Sequence, residues 1–307
     1  MSKLIGIDVG GTNLRIGVFS GLELIEETRF QANFSQFCKD HSPSEAWQKI
    51  LTVTANAIQT VSTKHPDVEA IGIGFPGFID PQTQTIAQSP NLPGLKNVNL
   101  ASDLSQLIGK KVVVENDANA AAYGEYCIAG KPAGGLVYFG LGTGVGGGFI
   151  DTGGRLYSGQ HGVAMEVGHI IIEPNGRQCG CGNKGCMEQY ASASGVAISY
   201  FNATKKQFTA HQIAELAKEG DKAAIEAYVL AANALAQTMA SIAKVIDVKN
   251  VVIGGGMSYA WGLMQAAFEA RLNADLIPVL RGKIAVKIST AHDTAGMLGA
   301  AMLALMK

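Results

Sequence analysis

A short apolar strand that runs directly into glycines occurs twice in this 307-residue sequence. Lys3–Val9 leads into Gly10 and Gly11, and Gly134–Phe139 leads into the glycine-rich stretch Gly140–Gly148. Apolar runs of this length that end at glycine are typical of buried strands. Further strands and then helices are indicated after both, so the pattern predicts a duplicated α/β fold with a cleft between two lobes.

The length of the chain is expected to correspond to two domains, at roughly 150 residues each. Apolar residues at helical spacing predict a helix at residues 43–64, and an alanine-rich run directly after Asn116 indicates another at residues 117–128. We expect the second of these to cross between the lobes. The predicted domains are a small N-terminal α/β lobe of residues 1–118 plus 294–307, and a larger C-terminal α/β lobe of residues 119–293.

The composition argues against several classes of function. The sequence is 47% hydrophobic and 16% charged, with a formal net charge of −1, so bulk charge indicates neither a nucleic-acid partner nor an anionic membrane surface. No apolar stretch approaches the roughly 20 residues of a membrane span, and the first residues lack the apolar core of a signal peptide. An odd number of cysteines, five, favours a reducing, cytoplasmic location.

The first glycine turn is a candidate phosphate site. Asp8 is followed closely by Gly10, Gly11 and Thr12. The glycines allow backbone amides to approach a phosphate, and Thr12 adds a hydroxyl donor. Asp8 could hold Mg²⁺ through water. An ordinary tight hairpin is an equally good interpretation of this turn taken alone.

The second glycine turn formally matches the dinucleotide fingerprint G-x-G-x-x-G at Gly142, Gly144 and Gly147. That fingerprint requires a following helix, whereas residues 149–157 indicate strand, turn and strand, and the P-loop pattern G-x-x-x-x-G-K-[ST] occurs nowhere in the sequence. What remains is a hairpin with Thr143 that matches the first turn, and the two could hold one triphosphate from opposite lobes. A third turn, where a flat base could lie against backbone, consists of Gly254, Gly255 and Gly256.

A strand meets a helix N-terminus at Glu115–Asn119, a place that directs side chains into a cleft. Phosphorylation of a hydroxyl requires a base beside that hydroxyl, and Asp117 is the candidate. From these residues alone, capping of the helix by Asn116 or Asp117 is the better interpretation.

Three of the five cysteines lie within eight residues, at Cys179, Cys181 and Cys186. Cys179 and Cys181 are too close in sequence for a comfortable disulfide, and the C-x-x-C spacing of a redox dithiol is absent. Three thiolates plus one imidazole match a closed, tetrahedral structural Zn²⁺ site. His169 is the candidate fourth ligand, although a lone histidine is more often a packed or solvated side chain.

These motifs, taken in order, resemble those of the ROK family of repressors, open reading frames and sugar kinases, within the actin-like ATPase superfamily. The match covers essentially the whole chain, and the cysteine motif is its most specific part. The matching segments are Asp8-x-Gly-Gly-Thr12, Glu115-Asn-Asp-Ala-Asn119, Gly142-Thr-Gly-x-Gly146, Glu166-x-x-His169 and Cys179-x-Cys-Gly-x-x-Gly-Cys186-x-Glu188. Resemblance to the glucokinase members rests on Gly74-Phe-Pro-Gly77-Phe and Ser89-Pro-Asn-Leu-Pro-Gly94.

The resemblance implies a two-lobed actin-like ATPase fold, with duplicated ribonuclease H-like domains and an interlobe cleft. It makes Asp117 the general base and His169 the fourth zinc ligand. The sugar contacts it implies are Gly77, Asn116, Asp117, Glu166, His169 and Glu188. The nucleotide contacts expected from the three turns are Asp8, Gly10, Gly11, Thr12, Gly142, Thr143, Gly144, Gly254, Gly255 and Gly256.

The activity that the resemblance implies is ATP-dependent phosphorylation of a hexose at the 6-hydroxyl, foremost glucose to glucose 6-phosphate, with Mg²⁺ and structural Zn²⁺. Kinases for N-acetylglucosamine, N-acetylmannosamine, fructose or allose share these motifs and stay as alternatives. A sugar-responsive transcriptional regulator is disfavoured, because the Asp8 motif begins almost at once and leaves no room for an N-terminal DNA-binding segment. We expect no nucleic-acid or membrane partner, and a homo-oligomer, dimer or tetramer, as is frequent in the family.

Overall fold

The computed structural model describes residues 3–89, 92–291 and 293–306. Within these ranges the strands are β1 (Lys3–Val9), β2 (Asn13–Ser20), β3 (Glu23–Gln31), β4 (Val68–Phe75), β5 (Phe78–Ile79), β6 (Ile86–Gln88), β7 (Lys96–Val98), β8 (Val112–Asn116), β9 (Leu136–Leu141), β10 (Val145–Ile150), β11 (Asn250–Gly254) and β12 (Ala285–Ile288). The helices are α1 (Phe34–Asp40), α2 (Pro43–Lys64), α3 (Leu100–Ile108), α4 (Asp117–Ile128), α5 (Glu188–Ala191), α6 (Ala193–Thr204), α7 (Ala210–Lys218), α8 (Lys222–Ile246), α9 (Trp261–Asp275) and α10 (Thr294–Ala304).

The chain divides into two compact units, each built around a main sheet. The first unit comprises Met1–Pro132, Gly148–Ala164 and Asp293–Lys307, and the second comprises Ala133–Gly147 and Met165–His292. Two α/β units agree with the predicted duplicated class. The structural division differs from the predicted boundary at residue 118, because the whole of α4 belongs to the first unit, where it packs on α10.

The main sheet of the first unit has the strand order β3-β2-β1-β4-β8, and a separate three-stranded sheet has the order β5-β6-β7. The pairs β1–β4 and β4–β8 are parallel, whereas β2 and β3 form antiparallel hairpin partners of β1. One core cluster joins the apolar side chains of these strands to α2, including the fully buried Ile50 and Phe75. The carboxyl ends of β1, β4 and β8 therefore share one edge of the sheet.

Glycines bring α10 close to the first sheet and to α4. A Cβ on Gly72 of β4 would overlap the carbonyl group of Ala300 in α10, and a Cβ on Gly299 would overlap the carbonyl oxygen of Ala120 in α4. Backbones at this separation leave no room for a side chain. The two helices and the sheet are thereby held together, which fixes the N-terminus of α4 at the carboxyl edge.

The sheet of the second unit has the order β10-β9-β11-β12. β11 pairs in parallel with both β9 and β12, and Gly254 of β11 lies beside Gly140 of β9. The carboxyl ends of β9 and β11 are consequently neighbours. The glycine turns that follow these two strands lie at the same edge of the sheet.

Helix α8 is alanine-rich and forms much of the core of the second unit. By length and composition it could span a membrane, with a hydropathy of 1.4 over its most apolar window, but 56% of that window is buried within the protein. An interior helix of a folded domain meets the same criterion, so α8 is weak support for a membrane span.

Candidate active site

Residues predicted for catalysis lie together at the carboxyl edge of the first sheet. Asp8 of β1 is in register with Gly74 of β4, and Gly74 is in register with Glu115 of β8. Gly74 places no side chain between the two carboxylates. The Cα atom of Asp117 lies 3.6 Å from the position that a Cβ on Gly74 would occupy. The predicted metal-binding Asp8 and the predicted base Asp117 thus share this edge.

Asp8 is half-buried and lies near side chains of both charges. Burial raises the pKa of Asp8, the positive charge of Arg15 lowers it in part, and the negative charge of Asp293 raises it. Arg15 also forms ion pairs with Glu27 at 3.1 Å and Asp293 at 2.8 Å. A bound divalent cation would oppose the effect of burial, so the site suits the predicted Mg²⁺.

The first glycine turn is a tight hairpin between β1 and β2. The amide of Gly10 donates to the carbonyl of Asn13 at 2.9 Å. The carbonyl of Thr12 accepts from the amide of Ala32, just ahead of α1, at 2.9 Å. The carbonyl of Gly11 accepts from the amide of Ser35, in the first turn of α1, also at 2.9 Å. The hairpin interpretation is therefore correct as to shape, and binding of phosphate by this turn stays a prediction.

Asn116 is the N-cap of α4. Its Oδ1 accepts from the amide of Asn119 at 3.0 Å, and its Nδ2 donates to the carbonyl of Gly77 at 3.1 Å. The Oδ1 of Asp117 accepts from the amide of Ala118 at 2.8 Å. The capping interpretation is correct for Asn116, and these bonds also bring the predicted sugar residues Gly77, Asn116 and Asp117 together.

Glu115 has a structural role that was not predicted from the sequence. Its side chain is 4% exposed, and its Oε1 accepts from the amide of Asn116 at 3.0 Å and from Nδ2 of Asn119 at 3.1 Å. The buried carboxylate thus fixes the residues on both sides of Asp117. A lone acidic residue that follows three valines in a strand is the sequence feature that could have identified it.

The second glycine turn is shorter than the predicted loop of residues 140–148, because β10 begins at Val145. The amide of Gly142 donates to the carbonyl of Gly144 at 2.9 Å and closes the turn. The Gly142 carbonyl accepts from the amide of Ala193, also at 2.9 Å, and Thr143 is exposed. The turn is therefore anchored to the start of α6.

The third glycine turn lies directly beside the second. Gly255 has a φ of 82°, and a Cβ there would lie 2.5 Å from the carbonyl oxygen of Leu141 at the end of β9. The hydroxyl of Ser258 donates to the Gly255 carbonyl at 2.7 Å. The structure thus brings together two of the predicted nucleotide segments, Gly142–Gly144 and Gly254–Gly256.

The cysteine motif and His169 converge on one point in the second unit. The three thiol sulfurs and a ring nitrogen of His169 all lie within 4.8 Å of one another. Nδ1 of His169 is 3.7 Å from Sγ of Cys179, and Sγ of Cys181 is 3.6 Å from Sγ of Cys186. Zn–S bonds of about 2.3 Å in a tetrahedron place two sulfurs roughly 3.7 Å apart. The donor set therefore fits a closed zinc site, and the distance between Sγ of Cys181 and Sγ of Cys186 is well beyond that of a disulfide bond.

Two glycines with left-handed backbone conformation shape this loop. Gly182 has a φ of 97° and Gly185 a φ of 78°, which L-residues with a side chain rarely adopt. A Cβ on Gly185 would also overlap the carbonyl of Glu173. Burial, supported by the neighbouring thiols, raises the pKa of Cys186 to about 12. A divalent cation would reverse this effect, because a coordinated thiol is deprotonated.

The polar residues that are predicted to contact the sugar lie on both sides of the cysteine loop. His169 directs Nδ1 to the cysteines and places Nε2 3.8 Å from Oε2 of Glu166. Burial raises the pKa of Glu166, His169 lowers it, and the charge of Glu188 raises it. Glu166, His169 and Glu188 thus form one electrostatically connected group. Of the segment Ser89–Gly94, Pro90 and Asn91 lie outside the described residues.

Comparison with known proteins gives a consistent result. A sequence model described as "ROK family" matches residues 4–307. A glucokinase of Thermotoga maritima is 32% identical, over 98% of this chain and 96% of its own length. An N-acetyl-D-glucosamine kinase of Haemophilus influenzae is 29% identical, over 98% of this chain and 99% of its own length.

A solved structure agrees with these sequence relatives. The crystal structure of a ROK family glucokinase from Streptomyces griseus, in complex with glucose and AMPPNP, superposes with a TM-score of 0.83 at 31% sequence identity. The alignment covers 99% of this chain and all of that chain. The two-unit α/β fold described above is therefore the fold of a ROK glucokinase.

Proposed function

Because the chain belongs to the ROK family, we propose that it is an ATP-dependent hexose kinase that phosphorylates the 6-hydroxyl, with glucose as its foremost substrate. The observation that carries this proposal is the shared edge of Asp8 and Asp117 in the first unit. A carboxylate for a cation and a carboxylate for a proton are the two groups that phosphoryl transfer to an alcohol requires there.

Asp117 is the proposed general base. Its carboxylate accepts the proton of the sugar hydroxyl as that oxygen attacks the terminal phosphorus atom of ATP, and the bond between this phosphorus and the bridging oxygen breaks to release ADP. Glu115 and the cap formed by Asn116 hold the N-terminus of α4 in place. Mg²⁺ held at Asp8 would supply charge neutralisation at the phosphates, and the glycine turns would bind those phosphates through backbone amides.

A structural Zn²⁺ is the second element of the proposal. His169, Cys179, Cys181 and Cys186 would hold the ion in a closed tetrahedral site, which has no open position for substrate. Its contribution is to fix the loop that carries Glu166 and His169 and leads to Glu188. His169 would bind the ion through Nδ1, which leaves Nε2 on the side of Glu166.

Glu166, His169 and Glu188 are the proposed sugar contacts. Carboxylates suit vicinal hydroxyls, and a site built for those hydroxyls rejects analogues that lack one. The 29% identity to an N-acetyl-D-glucosamine kinase supports that sugar as the second candidate. A cytoplasmic location and a dimeric or tetrameric assembly belong to the same proposal.

An assay of ADP release tests the activity. Purified protein with ATP and Mg²⁺ is offered glucose, N-acetylglucosamine, N-acetylmannosamine, fructose and allose in parallel. We expect turnover with the highest kcat/KM for glucose. Turnover with none of these sugars would refute the kinase proposal, and a preference for an N-acetylhexosamine would replace glucose by the second candidate.

A further inference from the structure

Arg177 lies two residues before Cys179 and directs its guanidinium group to the helices that follow the cysteine loop. Nη1 donates to the carbonyl of Gln189 in α5 at 2.6 Å and to the carbonyl of Gly195 in α6 at 3.1 Å. Nη2 donates to the hydroxyl of Ser199, also in α6, at 2.9 Å. One side chain thus joins the metal loop to two consecutive helices.

Tyr190 holds Arg177 from a second direction. The guanidinium carbon lies 4.4 Å from the centre of the Tyr190 ring, a cation–π distance. The backbone amide of Arg177 donates to the hydroxyl of the same tyrosine at 3.1 Å. A Cβ on Gly176 would overlap that hydroxyl, so glycine is required beside it. Both the backbone and the side chain of Arg177 are therefore fixed to α5.

The helices that Arg177 holds carry the anchors of the second glycine turn. Glu188, the first residue of α5, accepts from the amide of Val145 at 2.9 Å. Ala193, the first residue of α6, donates to the carbonyl of Gly142 at 2.9 Å. Each anchor lies within two residues of a carbonyl that Arg177 binds. Arg177 thus holds the helices to which both Glu188 and the Gly142–Gly144 turn are anchored.

The chemistry of the group explains why an arginine is needed. A guanidinium presents several donors in a rigid planar fork, whereas a lysine ammonium is a flexible point charge. Two of the acceptors are backbone carbonyls, so the hydrogen bonds fix the path of the main chain itself. Hydrogen bonds to a charged group in a partly buried place are stronger than neutral ones.

We propose that Arg177 is a positioning residue for substrate binding: it fixes α5 and α6 to the cysteine loop and so sets the location of Glu188 and of the Gly142–Gly144 turn. The inference rests on the proposed function, because Glu188 and the turn matter only if they bind hexose and ATP. It assigns Arg177 no contact with substrate and no role as a metal ligand.

The test compares Arg177→Gln and Arg177→Lys with the control Arg281→Gln, which removes an exposed arginine whose guanidinium also donates to a backbone carbonyl, that of Leu276. Zinc content, melting temperature, kcat and both KM values are measured well below the melting temperature. We expect the KM for hexose to rise about 10-fold or more in both Arg177 variants, from the loss of charged hydrogen bonds. Zinc content is expected to match the wild type, and the control should keep its KM values.

The remaining outcomes would contradict either the role of Arg177 or the proposed function. A lower melting temperature with unchanged KM values would reduce Arg177 to a structural residue and overturn the inference, and so would loss of zinc from Arg177→Gln. If that variant does not fold, Ser199→Ala removes a single acceptor of the guanidinium and is expected to raise the KM for hexose by a smaller factor; an unchanged KM would overturn the inference. Wild-type protein that phosphorylates no hexose would refute the proposed function instead.

Discussion

The carboxylate of Glu188 accepts a hydrogen bond from the backbone amide of Val145 at 2.9 Å. Glu188 follows the cysteine motif, whereas Val145 begins the strand after the second glycine turn. One carboxylate therefore belongs to the predicted sugar group and is also an anchor of the predicted phosphate turn. In the proposed kinase, this relationship would couple recognition of hexose and ATP through backbone geometry in the second unit.

Gly144→Ala tests that coupling. A Cβ on Gly144 would overlap Oε2 of Glu188, so the methyl group must displace the carboxylate or the turn. We expect the KM values for ATP and hexose to rise together, by roughly 10-fold each, as the loss of one charge-assisted hydrogen bond predicts. Steady-state kinetics measure both. Gly262→Ala in α9, where a Cβ meets nothing within 4 Å, is the matched control; a rise in only one KM would contradict shared anchoring.

Replacing the proposed base separates catalysis from capping. Asp117→Asn keeps a side-chain oxygen that can accept from the Ala118 amide, but it cannot take the proton of a hydroxyl. We expect kcat to fall by about 10²–10⁴-fold, the usual contribution of a positioned base. Calorimetric titration should give near-native hexose affinity. Near-native turnover in this variant would show that Asp117 only helps to begin α4.

Metal content tests the zinc site independently of activity. Protein purified without added zinc is expected to contain about one Zn per chain, in line with a closed four-ligand site. Cys181→Ser removes the exposed ligand and should reduce the zinc content well below that value. Cys38→Ser, which alters a half-buried cysteine of α1, should leave it unchanged. Active wild-type protein without metal would refute a structural zinc.

The sequence predicts best where local chemistry decides the structure. β1 and α4 begin and end at the predicted residues. For β1 an apolar run stops at glycine, and for α4 the cap is supplied by Asn116 next to the first helical residue. The cysteine spacing similarly indicated three of the four side chains that the fold brings together, because these three lie within one short loop, whereas His169 was expected from the resemblance.

The sequence predicts less where the structure depends on contacts between distant segments. The sequence indicates a glycine loop from Gly140 to Gly148, but β10 already begins at Val145, whose amide donates to a carboxylate 43 residues away. Arg177 similarly donates to backbone carbonyls of α5 and α6, and because every residue has such a carbonyl, the sequence does not indicate which ones are bound. The domain boundary differs for the same reason, since α4 packs on the last helix of the chain.

Acid stability is expected to depend on Glu26 of β3. Hydrogen bonds from Lys64 at 2.8 Å and His65 at 3.0 Å lower the pKa of Glu26 from 4.5 to about 2. Because the folded pKa is depressed, the ionised group stabilises the fold above pH 4.5, and this contribution is lost as the pH falls to about 2. Glu26→Gln should flatten the decline of melting temperature across that window. Glu23→Gln on the same strand is the control, and equal acid profiles would contradict the prediction.

Two glycines near α10 should respond to the same substitution in opposite directions. Gly72→Ala in β4 would place a Cβ into the carbonyl group of Ala300, a rigid backbone neighbour, whereas a Cβ on Gly296 within α10 meets nothing within 4 Å. Overpacking of this kind costs about 1–3 kcal/mol or more, and Gly→Ala in a helix with open space gains about 0.5–1 kcal/mol. Urea unfolding of the free protein measures both values. A Gly72→Ala variant as stable as the wild type would mean that the backbones of β4 and α10 are not in contact, and that α4 is not held at the carboxyl edge through α10.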